Sequence, residues 1–259
     1  MRIEARDIAV RFGARPLLER VNLSLAPGEM VGLIGANGAG KTTLLRILAN
    51  LRQPDDGSVR YDGRGANEIG VRALARRLAY LVQDGEAHWA MRAEALVALG
   101  RLPHRRAFRG LDAADRDAVE RALAATDVTA LRRRTMDQVS GGERMRILLA
   151  RALAVEAELL LADEPIAALD PAHQLQVMQL LRAAVCEGRG VVVVLHDLSL
   201  AARYCDRLVL LARGSVLAEG RPAEVLTDAH LARAFGVEVL RGERDGVPFY
   251  VPWSVAGGR

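Results

Sequence analysis

The apolar positions of this chain form short runs near its beginning and its end, with helical spacing between them. Runs of the buried-strand type, bounded by turn residues such as Pro27-Gly28, predict strands. They lie at residues 3–12, 21–25, 30–34, 58–61, 78–82, 159–162, 191–195, 207–211 and 215–218, with a last strand around 249–251. Helices are predicted at 41–51 and 171–187, with two small ones after residue 218. This alternation favours a parallel sheet covered by helices.

The middle of the chain follows a different pattern. Apolar residues recur there at helical spacing, which predicts helices at 91–99, 112–125 and 142–154. We therefore expect an α/β fold whose core comprises residues 1–84 and 156–259, interrupted by a helical subdomain at 85–155. The sequence shows no internal repeat and no low-complexity linker.

Composition narrows the class of protein. Hydrophobic residues make up 51% and charged residues 26%, which is typical of a globular protein, and no apolar run approaches the roughly 20 residues that span a bilayer. Charges within residues 1–6 predict the absence of a signal peptide. Cys186 and Cys205 lack metal-type spacing, which favours a reducing, cytoplasmic compartment.

The net charge of +4 leaves nucleic-acid binding open. The arginines are scattered, however, and short clusters such as 132–134 lack interleaved aromatic residues. Solvated helix faces, or a surface near anionic lipid headgroups, explain these clusters at least as well. We expect no nucleic-acid partner.

A glycine-rich segment holds the one lysine among the 36 lysine and arginine residues. The segment Gly35-Ala36-Asn37-Gly38-Ala39-Gly40-Lys41-Thr42 lies between the strand predicted at 30–34 and the helix at 41–51. In this context backbone N–H groups cradle α- and β-phosphates, the ammonium reaches β- and γ-oxygens, and the threonine hydroxyl binds Mg²⁺. A forked guanidinium is not equivalent to a compact ammonium there. We predict a nucleotide phosphate site.

Two adjacent carboxylates, Asp163 and Glu164, follow the apolar strand predicted at 159–162 and precede Pro165. On a strand, adjacent side chains point in opposite directions. We therefore expect Asp163 to hold the Mg²⁺ shell and Glu164 to act as general base on the attacking water. The alternative is an ordinary turn at the end of a strand. The phosphate loop upstream favours the catalytic interpretation.

The segment Ser140-Gly141-Gly142-Glu143 lies at the start of a predicted helix and has two compatible interpretations. Ser-x-x-Glu is the pattern of a capping box. Two glycines in the first turn reduce helix propensity but leave backbone N–H groups unshielded, at the positive end of the helix dipole. We expect a capped helix whose cap meets phosphate.

The order of these motifs resembles the ATP-binding subunits of ABC transporters. The pattern comprises the 35–42 loop, Gln83, the segment 140–143, Asp163-Glu164, Asp170 and His196, and it covers essentially the whole chain. The resemblance implies a P-loop NTPase (RecA-like) core with an ABC-type antiparallel β subdomain and an inserted α-helical subdomain. It also implies ATP and Mg²⁺ as cofactors, and ATP hydrolysis coupled to transmembrane transport.

The resemblance further implies roles for single residues. Phe12 would stack on adenine, although a lone phenylalanine is also typical of a core. Thr43 would contact the α-phosphate, and Gln83 would contact Mg²⁺ and the lytic water. His196 would contact the γ-phosphate, although a histidine at a strand end is often structural.

In such proteins two subunits pair head to tail around ATP. Ser140, Gly141 and Gly142 would then complete the nucleotide site of the opposite subunit. Asp170 would signal between the two sites, and by its position before Pro171 it is also a helix N-cap.

A narrower resemblance is to importers of iron–siderophore chelates, haem or cobalamin. The segments 97–104, 170–174 and 245–252 carry it, although 97–104 is also typical of a helix that ends at a glycine cap. The chain departs from the family pattern in the polar segment 84–89, at 166–168, and at Val139 and Glu143. Because the permease contact is expected at 84–89, the transported substrate stays open.

We therefore expect a peripheral ATPase at the cytoplasmic face of the inner membrane. It would act as a homodimer beneath an integral membrane permease and, indirectly, with an extracytoplasmic substrate-binding protein. One alternative is a cytosolic ATPase scaffold of the kind that assists iron–sulfur cluster assembly. Another is a nucleic-acid or ribosome-acting cassette protein, which usually has two cassettes or long coiled-coil insertions, unlike this chain.

Overall fold

The computed structural model of the chain describes residues 1–13, 15–82, 91–105, 109–167 and 169–257. The strands of this part are β1 Ile3–Phe12, β2 Arg15–Leu25, β3 Met30–Gly35, β4 Asp56–Tyr61, β5 Leu78–Leu81, β6 Leu159–Ala162, β7 Gly190–Val194, β8 Arg207–Ala212, β9 Ser215–Gly220, β10 Val237–Arg244 and β11 Val247–Val255. Its α-helices are α1 Lys41–Leu48, α2 Ala66–Ile69, α3 Val71–Arg77, α4 Ala93–Ala98, α5 Ala113–Ala125, α6 Gly141–Leu153, α7 Pro171–Cys186, α8 Leu198–Tyr204, α9 Pro222–Val225 and α10 Asp228–Phe235.

A six-stranded sheet with the order β5-β6-β7-β3-β8-β9 forms the centre of the fold. Its strands are parallel except β9, which pairs antiparallel with β8 at one edge. Every residue of β3, β6 and β7 is buried, because helices and a second sheet cover both faces. The carboxyl ends of these strands meet at one edge, where open α/β sheets bind ligands.

A three-stranded antiparallel sheet, β2-β1-β4, packs against one side of this core. Apolar residues of β1 such as Ile3 and Ile8 share one hydrophobic cluster with Leu44 of α1 and Leu33 of β3. Helix α1 therefore lies between two sheets, and its first turn is held against the end of β3. The expected antiparallel β subdomain is confirmed.

The helical segment shares a second hydrophobic cluster with the other face of the central sheet. Leu96 of α4, Leu123 of α5 and Leu148 of α6 pack with Met30 and Leu160 in this cluster.

A buried ion pair joins two parts of the helical segment. Arg101 Nε donates to Asp115 Oδ1 at 2.9 Å, and both side chains are 6% exposed. Arg101 also donates to the Ala154 carbonyl oxygen at 2.8 Å and to Glu156 at 3.0 Å. This one guanidinium thus connects the turn that follows α4, the helix α5 and the chain that follows α6.

The predicted strands and helices are found, most with bounds within a few residues. Strand β2 begins at Arg15 rather than 21, and the sequence analysis missed β10 and the short helices α2, α3 and α8. None of the helices in the described part combines the length and apolarity needed to cross a membrane. The division into 1–84 with 156–259 and an inserted 85–155 stays a prediction.

Candidate nucleotide site

The loop after β3 requires glycine at its two ends. Gly35 has φ +152°, and a Cβ there would lie 2.3 Å from the Leu211 carbonyl oxygen. Gly40 has φ +97°, and a Cβ there would lie 2.5 Å from Leu18 Cδ2. A side chain at either position would collide with its neighbours, so the loop can turn into α1 only with glycine at these places.

Helix α1 begins directly at the loop with Gly40 as its N-cap. Because glycine has no side chain to accept from the first-turn N–H groups, these donors and the positive end of the helix dipole face the loop. Asn37, Gly38, Thr42 and Thr43 line the same space. This geometry suits an anion.

Lys41 is buried, and its ammonium bends back over the loop. Its Nζ donates to the carbonyl oxygens of Gly35 at 2.7 Å and Ala36 at 3.1 Å. Burial lowers the pKa of Lys41, while the charges of Glu164 and Asp163 raise it.

Asp163 is fully buried and accepts hydrogen bonds on both carboxylate oxygens. Thr42 Oγ1 donates to Oδ1 at 3.0 Å, and Tyr80 Oη donates to Oδ2 at 3.0 Å. Burial raises the pKa of Asp163, and these two hydrogen bonds oppose the rise. A threonine hydroxyl and a carboxylate in direct contact form an oxygen donor set of the kind Mg²⁺ prefers.

Tyr80 is a site residue that the sequence analysis missed. It lies in β5 beside Leu161 of β6, so its hydroxyl reaches the carboxylate that follows β6. Burial and the charge of Asp163 raise the pKa of Tyr80 to about 12. The sequence signal that could have identified it is the hydroxyl of Tyr80 within the otherwise apolar run 78–82.

Glu164 and His196 form a close pair at the same edge of the sheet. His196 Nε2 lies 2.7 Å from Glu164 Oε1. Strand β6 ends at Ala162, and Glu164 has φ +49°, so the expectation that the two acids alternate along a strand was wrong. They diverge because the chain turns through a left-handed conformation at Glu164.

Glu164, His196 and residues of the glycine-rich loop line one cavity of about 460 Å³. It brings together predicted residues from the loop, from the turn after β6 and from the end of β7, together with Leu17, which was not predicted. The lining residues are Leu17, Asn37, Gly38, Gly40, Lys41, Thr42, Thr43, Glu164 and His196.

Phe12 is not among the described residues that line this cavity. It lies at the end of β1 with 61% of its surface exposed, which contradicts a core position. The guanidinium carbon of Arg52 lies 4.9 Å from the centre of its ring, a cation–π contact. The ring is thus held at the surface by Arg52.

Ser140 forms the predicted capping box at the start of α6. Its Oγ accepts from Glu143 N at 3.2 Å, and its own N–H donates to Glu143 Oε2 at 2.8 Å. The latter bond lowers the pKa of Glu143. Gly141 and Gly142 form the first turn, and none of the three lines the described cavity.

Asp170 is the predicted N-cap of α7, with Pro171 at the first helical position. It accepts from His173 N at 3.0 Å, and this bond lowers the pKa of Asp170. Leu169, beside it, lies 3.5 Å from where a Cβ on Gly142 would be, so the starts of α6 and α7 are close. Gln83 and the segment 84–89 lie outside the described residues.

Comparison with known proteins agrees with this geometry. The family model described as ABC transporter matches residues 18–167. Hemin import ATP-binding protein HmuV from Pseudomonas aeruginosa is 44% identical over 245 residues, which cover 92% of this chain and 94% of that protein. The chain therefore belongs to the ABC transporter family, and it is an ATP-binding subunit with ATPase activity.

Two solved structures show the same fold. A metal-chelate type ABC transporter in an inward-facing conformation superposes with a TM-score of 0.83 at 26% identity, covering 97% of both chains. A dimeric bacterial ABC transporter cassette superposes with a TM-score of 0.77 at 28% identity, covering 85% of this chain and 98% of the other.

Proposed function

We propose that this chain hydrolyses ATP to energise an importer of an iron chelate, and that the chelate is haem. The relatives named as hemin import proteins and the resemblance in segments 97–104, 170–174 and 245–252 support this choice. Siderophore and cobalamin import use the same kind of ATPase and are the nearest alternatives. The chain would act at the cytoplasmic face of the inner membrane, beneath an integral membrane permease. An extracytoplasmic substrate-binding protein would deliver the chelate to that permease.

The observation that carries the ATPase assignment is that Lys41, Thr42, Glu164 and His196 line one cavity, with Asp163 hydrogen-bonded to Thr42. The donor set fits Mg²⁺-ATP, because Thr42 and Asp163 offer hydroxyl and carboxylate oxygens within 3.0 Å of each other. Bound Mg²⁺-ATP would supply a γ-phosphoryl group whose charge the metal neutralises.

The chain's own residues then divide three tasks. Lys41 and the N–H groups of the α1 first turn bind phosphate oxygens and orient them. Glu164 accepts the proton of the attacking water at Oε1 or Oε2, and His196, already 2.7 Å away, orients that carboxylate and meets the γ-phosphate. Gln83 would contribute to Mg²⁺ and water binding.

The residues of the α6 cap, and Asp170 beside it, would act with a second copy of the chain. The cap of α6 lies outside its own cavity and exposes Ser140 and Gly141, which suits a γ-phosphate bound by the opposite subunit. Asp170 lies beside this cap and would link the two sites. Phe12, exposed at the end of β1, would stack on adenine.

The Glu164→Gln variant tests both the mechanism and the importer. It removes the base while keeping the shape, so we expect loss of turnover and an ATP-dependent dimer by size exclusion. Near-normal turnover would show that Glu164 is not the base. Lys41→Ala serves as the control that cannot form the ATP-bound dimer.

The same variant, tagged and loaded with ATP, should retain an integral membrane permease from detergent-solubilised membranes. Reconstituted with that permease and its binding protein, the wild-type chain should hydrolyse ATP faster with haem-loaded binding protein than with siderophore or cobalamin. Stimulation by either of those instead would reject haem. Recovery of soluble partners or ribosomes would reject import and favour the scaffold or ribosome-acting alternatives.

A further inference from the structure

The turn that carries Glu164 is anchored on both sides of this residue. Before it, Asp163 is fully buried, and its N–H donates to the Leu81 carbonyl oxygen at 3.0 Å. After it, Ile166 is 5% exposed and packs in a hydrophobic cluster. Glu164 itself has φ +49°, a conformation that a residue with a side chain keeps only when its surroundings impose it. The position of its carboxylate therefore depends on both anchors.

Downstream of Glu164 the turn has few hydrogen bonds of its own. Pro165 has no N–H, and neither Ile166 nor Ala167 has a polar side-chain atom. The Ala167 N–H donates to the Glu164 carbonyl oxygen at 3.3 Å, which is longer than most bonds of this kind. This side of the turn therefore needs support from another element.

Gln174, in the first turn of α7, supplies that support. Its Nε2 donates to the Ile166 carbonyl oxygen at 3.2 Å, eight residues back along the chain. The same oxygen accepts from the Leu169 N–H at 3.2 Å. A carbonyl oxygen has two lone pairs, so both of its acceptor positions are used. The half-buried Gln174 side chain thus ties the turn to the helix.

The first turn of α7 is itself fixed. Asp170 caps it with both carboxylate oxygens, because Oδ1 accepts from the His173 N–H at 3.0 Å and Oδ2 lies 2.6 Å from His173 Nδ1. The Gln174 N–H donates to the Asp170 carbonyl oxygen at 2.9 Å. Further along the helix, Val177 is buried in the same cluster as Ile166. Gln174 therefore reaches the turn from a rigid frame.

We propose that Gln174 is a positioning residue for ATP hydrolysis, which holds Glu164 in place through the Ile166 carbonyl group. The proposal rests on the proposed role of Glu164 as general base. Gln174 is not among the residues that line the described cavity, so it acts on the base and not on the nucleotide. Release of the Ile166 carbonyl would let the turn relax and would move the Glu164 carboxylate from its place 2.7 Å from His196.

Steady-state ATP hydrolysis by the full chain tests the proposal. Gln174→Met keeps the length and helix propensity of the side chain but removes its donor. We expect kcat to fall roughly 10–100-fold, because a displacement of about 1 Å at a catalytic group has an effect of this order. The KM for ATP should stay within about twofold of wild type, since Lys41 and Thr42 are unchanged. The matched control is Gln176→Met, the same change at an exposed position of α7, which should keep the wild-type kcat.

A double-mutant cycle separates positioning of Glu164 from a general structural effect. In single-turnover hydrolysis, adding Gln174→Met to Glu164→Gln should slow the reaction by less than about twofold, because no base remains to be positioned. A general structural effect would instead slow Glu164→Gln by the same factor as wild type. If Gln174→Met fails to fold, Gln174→Glu decides the case, because it keeps the side-chain shape but cannot donate when ionised, and its kcat should also fall.

The outcomes that reject the positioning role differ from those that reject the proposed function. Normal kcat in a folded Gln174→Met or Gln174→Glu protein, a rise in KM alone, equal loss in Gln176→Met, or additive losses in the cycle would each overturn the role of Gln174 while Glu164→Gln stays inactive. Near-normal turnover of Glu164→Gln would reject the base, and the positioning role with it.

Discussion

Replacement of Tyr80 by phenylalanine should weaken metal binding without disturbing the fold. The change removes one of two described side-chain donors to the buried carboxylate of Asp163, the one at 3.0 Å from Oδ2. A hydrogen bond to a charged group contributes about 1.5–3 kcal/mol. Because this hydrogen bond orients a metal ligand, its loss should reduce metal affinity by roughly 10–100-fold.

The assay is a titration of Mn²⁺, a spectroscopic substitute for Mg²⁺, into protein with ATP, followed by electron paramagnetic resonance. ATP affinity measured in a chelator should be the same for Tyr80→Phe and wild type, because Tyr80 is not among the residues that line the described cavity. The metal-dependent part of ATP binding should fall.

Tyr61→Phe is the matched control. Tyr61 is more deeply buried than Tyr80, and its hydroxyl donates at 3.0 Å to the Leu48 carbonyl oxygen, away from Asp163. This variant should lose about 1 kcal/mol of unfolding free energy and keep its metal affinity. The reasoning fails if Tyr80→Phe binds Mn²⁺ within about twofold of wild type, or if Tyr61→Phe weakens binding equally.

Three further predictions use other parts of the molecule. Lys41→Ala should lower ATP affinity roughly tenfold or more by calorimetry, because the lysine cation that binds the phosphates is lost; unchanged affinity would reject the phosphate-loop assignment. Asp115→Asn should cost about 2 kcal/mol of unfolding free energy in urea, since the buried Arg101 guanidinium then loses its buried carboxylate partner and keeps only the more exposed Glu156; a cost below about 1 kcal/mol would contradict this. Cys186 should react with a thiol reagent in the native protein, whereas Cys205 should react only after unfolding, because burial raises its pKa to about 12.

Local interactions explain why much of the fold was predictable. The buried strands β3, β6 and β7 are continuous apolar runs, and such runs are visible in the sequence wherever both faces of a sheet are covered. The caps of α6 and α7 also follow from sequence, because Ser140 with Glu143, and Asp170 with His173, are three residues apart.

The missed elements lack such a signal. Strand β10 alternates apolar residues with charged ones and exposes most of its length, so its backbone pairing with β11 decides its conformation. Strand β2 begins early for the same reason, since Arg15 pairs with Phe12 of β1 although it is exposed. In both cases a hairpin partner replaces burial as the cause.

The sequence by itself determined the phosphate loop, the order of the motifs and the residue types that the site requires. Only the tertiary structure decided that Tyr80 bonds Asp163 and that His196 meets Glu164, pairs separated by 83 and 32 residues along the chain. It also decided that the hairpin of β10 and β11 exposes large apolar side chains. The physical reason is that strand order and register bring distant residues together, and local sequence patterns carry information only about near neighbours.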